Sequence, residues 1–487
     1  MNIFNELGTM LGSDIFIFLI FCLAVLTVNY ILPIKLRNYW ILVVGIVFYA
    51  LCDLRFLALI AAEIVGSYYA GLYLGHKKVS KKKLIFITLV FAEILVFFKM
   101  SNAIISDFDI DVIKVAIPIG ISYYTFRILS YIFDVHKRTR EVEESLVIYA
   151  IYVSFFPHLL SGPIARSEGM TERLHKGLRY DKDLFAEGTI LIISGLFKKA
   201  VIADRMSGYV NLVFTNPDYY PGLALWIGAI LYTIQLYCDF GGYSEVAIGI
   251  TNMFGMKCES NFNRPYLSSS MREFWRRWHI SFSKWLTDYI YIPLGGSRVK
   301  KARHIFNTMI TFAVCGLWHR CSLNYLMWGL YHGVMNLLSP KYKKKSKEQI
   351  GVPDESWRFK NLWKRVPAIV LTFFFAMTGW IFFRADNLGL ALKYIARMYT
   401  HFSLSLADIQ NSVFIFTSDM TSVSYAIVLF VMVLVLLIKE LQDENMEAML
   451  ISKERVFKHQ IRWSGLFVVC IIVFGVIGNA SFLYAGY

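Results

Sequence analysis

Residues 15–32 read IFIFLIFCLAVLTVNYIL, eighteen positions without a charge. As a helix this run is about 27 Å long at 1.5 Å per residue, close to the roughly 30 Å of a bilayer's hydrocarbon. No basic leader or small-residue cleavage site accompanies it, so it is expected to stay in the chain as an anchor and not to be removed as a signal peptide. The rest of the 487 residues agree: 56% are hydrophobic and 17% charged, where a soluble domain carries about 25% charged side chains. These values exclude an ordinary soluble enzyme and predict an all-α polytopic membrane protein.

Twelve further apolar runs follow: 39–51, 56–74, 84–98, 115–133, 146–160, 188–202, 223–240, 305–318, 325–338, 366–382, 424–438 and 466–483. Pro118, Gly120, Gly162 and Pro163 interrupt some of them. Broken helix at membrane depth is tolerated only where protein or a water-filled cavity surrounds it. Roughly eleven to thirteen spans are therefore expected, with some re-entrant or interfacial helices. The positive-inside rule places the cluster Lys77, Lys78, Lys81, Lys82 and Lys83 in the cytoplasm. The N-terminus and the acidic loop with Asp107, Asp109 and Asp111 then lie outside. A charged stretch from Lys439 to Arg462 precedes the final run; if it is cytoplasmic, the terminal residues, Tyr484 among them, emerge outside. With no internal repeat, one integral-membrane domain is expected, with N-terminal helices in 1–135, a core in 136–340 and C-terminal helices in 341–487. Lys341–Lys347 is the nearest approach to a linker.

The net charge of +15 is accounted for by cytoplasmic loops without nucleic acid, although basic loops also suit an anionic donor such as a CoA thioester. Seven scattered cysteines with no CxxC spacing argue against disulfides and zinc.

Three clusters carry possible chemistry. In Met271–Trp285, helical spacing puts Trp275, Trp278, Phe282 and Trp285 on one stripe, flanked by Arg272, Arg276, His279 and Ser283. The competing reading is an interfacial helix with an aromatic belt. Trp318-His319-Arg320 ends one apolar run and His332 lies in the next. Intramembrane histidines are functional candidates by default, with a satisfied structural histidine as the alternative, and imidazole suits general-base work near neutrality. Asp239 ends the run 223–240 and either orients a histidine, pairs with an arginine or belongs to a structural network.

In order along the chain, several motifs resemble the membrane-bound O-acyltransferase family, in its alginate and peptidoglycan O-acetyltransferase branch. They are Leu36-Arg37-Asn38-Tyr39-Trp40, Pro118-Ile119-Gly120-Ile121-Ser122-Tyr123-Tyr124-Thr125-Phe126, Phe155-Phe156-Pro157-His158 with Ser161-Gly162-Pro163, Asn261-Phe262-Asn263-Arg264-Pro265-Tyr266, Phe274-Trp275-Arg276-Arg277-Trp278-His279-Ile280-Ser281, Asp288 to Gly296, and Trp380-Ile381-Phe382-Phe383-Arg384-Ala385. The resemblance implies tilted helices around a tunnel, with the family's essential histidine at His319 and its partner at His279. Asp239, Asn261, Asn263, Arg276, Trp278, Ser283, Trp318 and His332 are expected along the donor and substrate path. It further implies acetyl-CoA as donor, no permanently bound cofactor or metal, and residence in the bacterial inner membrane, among its lipids. The acceptor would be a cell-surface polysaccharide. Phe482-Leu483-Tyr484 is similar to an ending in this branch that offers tyrosine as a transient acyl acceptor, which implies an extracytoplasmic partner of the SGNH-hydrolase type; an interfacial tyrosine belt is the alternative. Two positions depart from the pattern: Arg320 stands where glycine is usual and Gly241 where serine is. The competing functions are D-alanyl transfer to teichoic acid and, from another class, transport or flipping of a glycan precursor.

Overall fold

The computed structural model describes residues 14–77, 79–107, 116–160, 162–164, 166–340, 354, 357, 359–415 and 421–476. Among them no strand occurs. Among the described residues six helical stretches are long and apolar enough to cross a membrane: Ile34–His76, Lys81–Ser101, Gly222–Met253, Val366–Arg384, Val423–Ala448 and Lys453–Phe474. Ile15–Ile31 and Leu146–His158 are shorter apolar helices. The chain is a helical, multi-pass membrane protein. Its N-terminus, Lys78, Asp109, Asp111, the 341–347 stretch and Tyr484 lie outside the described residues.

The chain divides into two compact units, 1–192 with 243–260 and 478–487, and 193–242 with 261–477. The first contains α1 (Ile15–Ile31), α2 (Ile34–Asp53), α3 (Leu57–His76), α4 (Lys81–Asp107), α5 (Ile121–His136), α6 (Leu146–Ser154), α7 (Ser167–Lys176) and most of α8 (Lys182–Leu196). Lipid tails are as apolar as leucine, so close packing and buried polar contacts hold such helices together. Phe18, Phe48 and Phe156 interlock with centroids 5.6–6.0 Å apart, each ring pair adding about 0.5–1.5 kcal/mol beyond its burial. Arg37 and Asn38 on α2 donate to Leu178 O and Leu174 O, at 2.5 and 2.9 Å, where α7 ends and its carbonyls need partners. The run 115–133 becomes helix only from Ile121. Gly120 sits at φ 70° just before it, a conformation glycine adopts without a Cβ clash.

In the second unit, α9 (Asp204–Thr215) follows a π-helical segment, Phe197–Ala203. Then come α10 (Gly222–Met253), α11 (Met271–Arg277), α12 (Ile280–Leu286), α13 (Lys301–His319), α14 (Leu323–Leu338), α15 (Val366–Arg384), α16 (Leu388–Thr400), α17 (Leu406–Val413), α18 (Thr421–Ala448) and α19 (Lys453–Phe474). Of α10, residues 222–242 belong to this unit and the remainder to the first. Helices α13 and α14 form a hairpin that only glycine permits: a Cβ on Gly316 would run into Tyr325 O, and one on Gly329 into Phe312 O. The charged stretch 439–462 is almost wholly helical, with only 449–452 between α18 and α19. Its acids explain this, since Glu440 and Glu444 are buried against cations instead of facing water.

Candidate functional site

The Met271–Trp285 cluster is not one helix. Helix α11 stops at Arg277 and α12 starts at Ile280; between them His279 holds φ 42°, ψ 57°, left-handed backbone that costs a residue with a side chain about 1–2 kcal/mol. The bend is imposed from outside. Asn261–Arg264 runs alongside it, with Asn263 N donating to Arg277 O at 2.9 Å and Ile280 N to Asn261 O at 2.8 Å. Arg264 is left-handed as well. A four-residue ion cluster anchors both arms: Arg277 binds Glu273 at 2.8 Å and Glu444 through both terminal nitrogens at 2.8 and 2.7 Å, while Arg264 Nε stands 2.9 Å from Glu444.

The consequence for His279 is chemical. Ser281 donates its N–H at 3.2 Å and its hydroxyl at 2.9 Å to one atom of Asn261, which must therefore be the carbonyl Oδ1. That same oxygen lies 3.2 Å from His279 Nδ1. An amide oxygen only accepts, so Nδ1 carries the proton, and in the neutral ring Nε2 keeps the lone pair a base needs. His279 is 1% exposed and packed against Phe240, Phe262 and Phe282, at 4.9, 6.3 and 5.1 Å between centroids.

His319 is the last residue of α13, and its ring is likewise buried. It lies 4.3 Å from the Trp318 ring, 5.0 Å from Phe383 and 5.2 Å from Trp328. Both imidazoles border the Phe282–Trp318 pair, itself 4.2 Å apart. Two imidazoles with an aromatic surround make a setting in which a hydroxyl proton can be taken while bulk water is held away.

Other predicted positions scatter. Trp278 is buried 4.8 Å from Trp380. His332 is fully buried, its ring 5.2 Å from that of Trp328, with no partner for either ring nitrogen among the described residues. Asn263 contributes backbone only in the pairing above, and Ser283 donates to Trp278 O at 3.2 Å. Arg276 is exposed on the last turn of α11. Asp239 pairs with Lys199 at 2.6 Å, and Lys199 also holds Asp204 at 2.7 Å, a buried network of the structural kind that was one of the alternatives expected for this acid. Sequence reading passed over these lysines, as well as Glu440 and Glu444. The signal was present: Lys198-Lys199 interrupts an apolar run, and ionisable groups there are costly enough to need partners. Lys198 meets Tyr237 at 3.2 Å, and Tyr237 donates to Glu440 at 2.5 Å.

The family model described as MBOAT, membrane-bound O-acyltransferase family, matches residues 39–344. The chain is 36% identical over 418 residues to a probable alginate O-acetylase of Azotobacter vinelandii, spanning 82% of this chain and 80% of that protein. To the peptidoglycan O-acetyltransferase of Helicobacter pylori it is 30% identical over 407 residues, 76% and 75% of the two chains. A teichoic acid D-alanyltransferase of Bacillus subtilis is 30% identical over 279 residues, 54% of this chain and 68% of the relative.

Proposed function

The chain belongs to the membrane-bound O-acyltransferase family, a membrane O-acyltransferase by that membership, and on that premise we propose that it carries acetyl groups from cytosolic acetyl-CoA to a polysaccharide outside the bacterial inner membrane. The observation that carries this reading is the Asn261-fixed tautomer of His279 beside the same Phe282–Trp318 pair that borders His319. His319 takes the proton of an attacking hydroxyl as its oxygen adds to the thioester carbonyl. The C–S bond then breaks, and the thiolate leaves with a proton returned by the imidazole. His279, held by Asn261, assists through Nε2.

Acetyl is favoured over D-alanyl because the two acetyltransferase relatives match 82% and 76% of the chain and the D-alanyltransferase 54%. The first acceptor in this reading is Tyr484, and an SGNH-hydrolase-like partner outside passes the acetyl group to a sugar hydroxyl. The remaining tunnel positions, Asp239, Asn263, Arg276, Ser283, Trp318 and His332, shape the donor and substrate path.

Membranes carrying wild-type or His319→Ala protein, incubated with acetyl-labelled acetyl-CoA, test this. Label should enter polysaccharide only with the wild type. Equal label in both ends the reading, and uptake without covalent label in either favours a transporter. A Tyr484→Phe chain that labels polysaccharide as fast as wild type removes the relay while leaving the acyltransferase intact.

A further inference from the structure

The first unit encloses a charge that its own described residues leave unbalanced. Arg127, in the middle of α5, has no exposed surface. Its Nη1 donates to Tyr152 O at 2.9 Å and reaches Val153 O at 3.4 Å. These carbonyls close α6, and the negative end of that helix offsets part of the charge. Nε and Nη2, however, have no hydrogen-bond partner among the described residues. Tyr152, Cys258, Tyr123 and His158 are titratable groups around this guanidinium, and no carboxylate pairs with it among the described residues. Arginine does not shed its proton in proteins, so the cation persists, and a buried ion without a partner is among the costliest arrangements a fold can hold.

Its neighbours are incompletely paired too. Tyr123 precedes Arg127 by four residues and so shares its face of α5; its phenol is buried with no partner among the described residues. Across from them, His158 lies within the field of the guanidinium. Thr251 Oγ1 donates to Ala247 O at 2.7 Å and so accepts from His158 Nε2 at 2.8 Å, which leaves Nδ1 of the neutral ring as an acceptor with no donor among the described residues. A water placed here satisfies hydrogen bonds but leaves the charge uncompensated. Arg127, Tyr123 and His158 are all buried, which favours a small occupant.

We propose that the Arg127 Nε–H and Nη2–H groups and the Tyr123 hydroxyl bind a small monovalent inorganic anion of the halide class inside the first unit. The proposal does not rest on the acyl-transfer residues proposed above.

The test uses the full chain in detergent, unfolded thermally in sodium chloride, sodium bromide and sodium gluconate at matched ionic strength. An anion that binds only the folded protein raises the midpoint with concentration. Chloride and bromide should raise it above gluconate, and crystals grown in bromide should show an anomalous peak beside Arg127. Arg127→Gln, which keeps a donor for Tyr152 O, should lose the chloride response; Arg127→Met is the second variant should Gln fail to fold. The proposal is overturned if wild-type midpoints coincide in chloride and gluconate, or if the variants respond to chloride as wild type does, which marks a general salt effect. A bromide-grown crystal without a peak at Arg127 overturns it equally.

Discussion

Replacing Asn261 by leucine separates the chemistry of His279 from the stability of the fold. The side chains are close in size. The substitution removes three contacts at Oδ1, from Ser281 N, Ser281 Oγ and His279 Nδ1, each worth about 0.5–1.5 kcal/mol net. It also removes a buried Nδ2 that has no acceptor, relieving a penalty of about 1–3 kcal/mol. Because the donors are left without an acceptor, the loss outweighs the relief, so the variant should fold with a lowered unfolding midpoint. What it loses is the bond that chooses the tautomer. If that bond contributes about 1–1.5 kcal/mol to the transition state, kcat falls about 5- to 12-fold with KM unchanged. Asn261→Asp keeps an acceptor at the same place and should stay close to wild type. The assay is the initial rate of acetyl transfer from labelled acetyl-CoA in vesicles, normalised to folded protein by thermal unfolding in detergent. An Asn261→Leu enzyme with wild-type kcat refutes the tautomer reasoning, as does an Asn261→Asp enzyme as impaired as the leucine variant.

Lys199→Met should destabilise by about 3–5 kcal/mol, because Asp239 and Asp204 stay buried without their cation; adding Asp239→Asn should recover part of the loss, and an additive double mutant in thermal unfolding counts against the pair. Gly379→Ala drives a methyl against His332 Nε2, an overpacking cost of about 1–3 kcal/mol seen as a lowered unfolding midpoint; an unchanged midpoint shows that His332 can move aside. Glu444→Gln weakens the ion cluster behind the His279 bend and should lower kcat more than it raises KM in the vesicle assay. Should only KM change, Glu444 has no part in holding that bend.

The helices were legible because hydrocarbon leaves the backbone little other choice: every apolar run falls wholly or partly on helix. The pairing of His279 and His319 came from motif order and not from spacing, since 40 residues separate them (319 − 279). The bend at His279 was hidden. Local propensity favours continuing the helix through Trp-Arg-Arg-Trp-His, and what stops it is a segment eight or more residues upstream that claims Arg277 O and Ile280 N. Asp239 was seen as a buried acid with a structural network among its alternatives, but its partner Lys199 was not, because it approaches from a π-helical segment of another helix that no composition rule anticipates. The charge at Arg127 was read as part of an apolar run, where one arginine in a long hydrophobic helix scarcely alters mean hydropathy.

That change of pitch at Phe197–Ala203 has an evolutionary side. A π turn amounts to one surplus residue inside an α-helix, and its looser ring lets Ala200 O accept from Val476 N at 3.0 Å while Arg205 grips Phe474 O. Deleting one residue there would return the helix to ordinary winding and swing everything beyond it by about 100°. The carbonyl that now moors the far end of α19 would turn elsewhere. A homologue missing one residue at this point must fasten its last helix by other means, so a single-position gap in an alignment marks a change of anchorage and not a neutral slip.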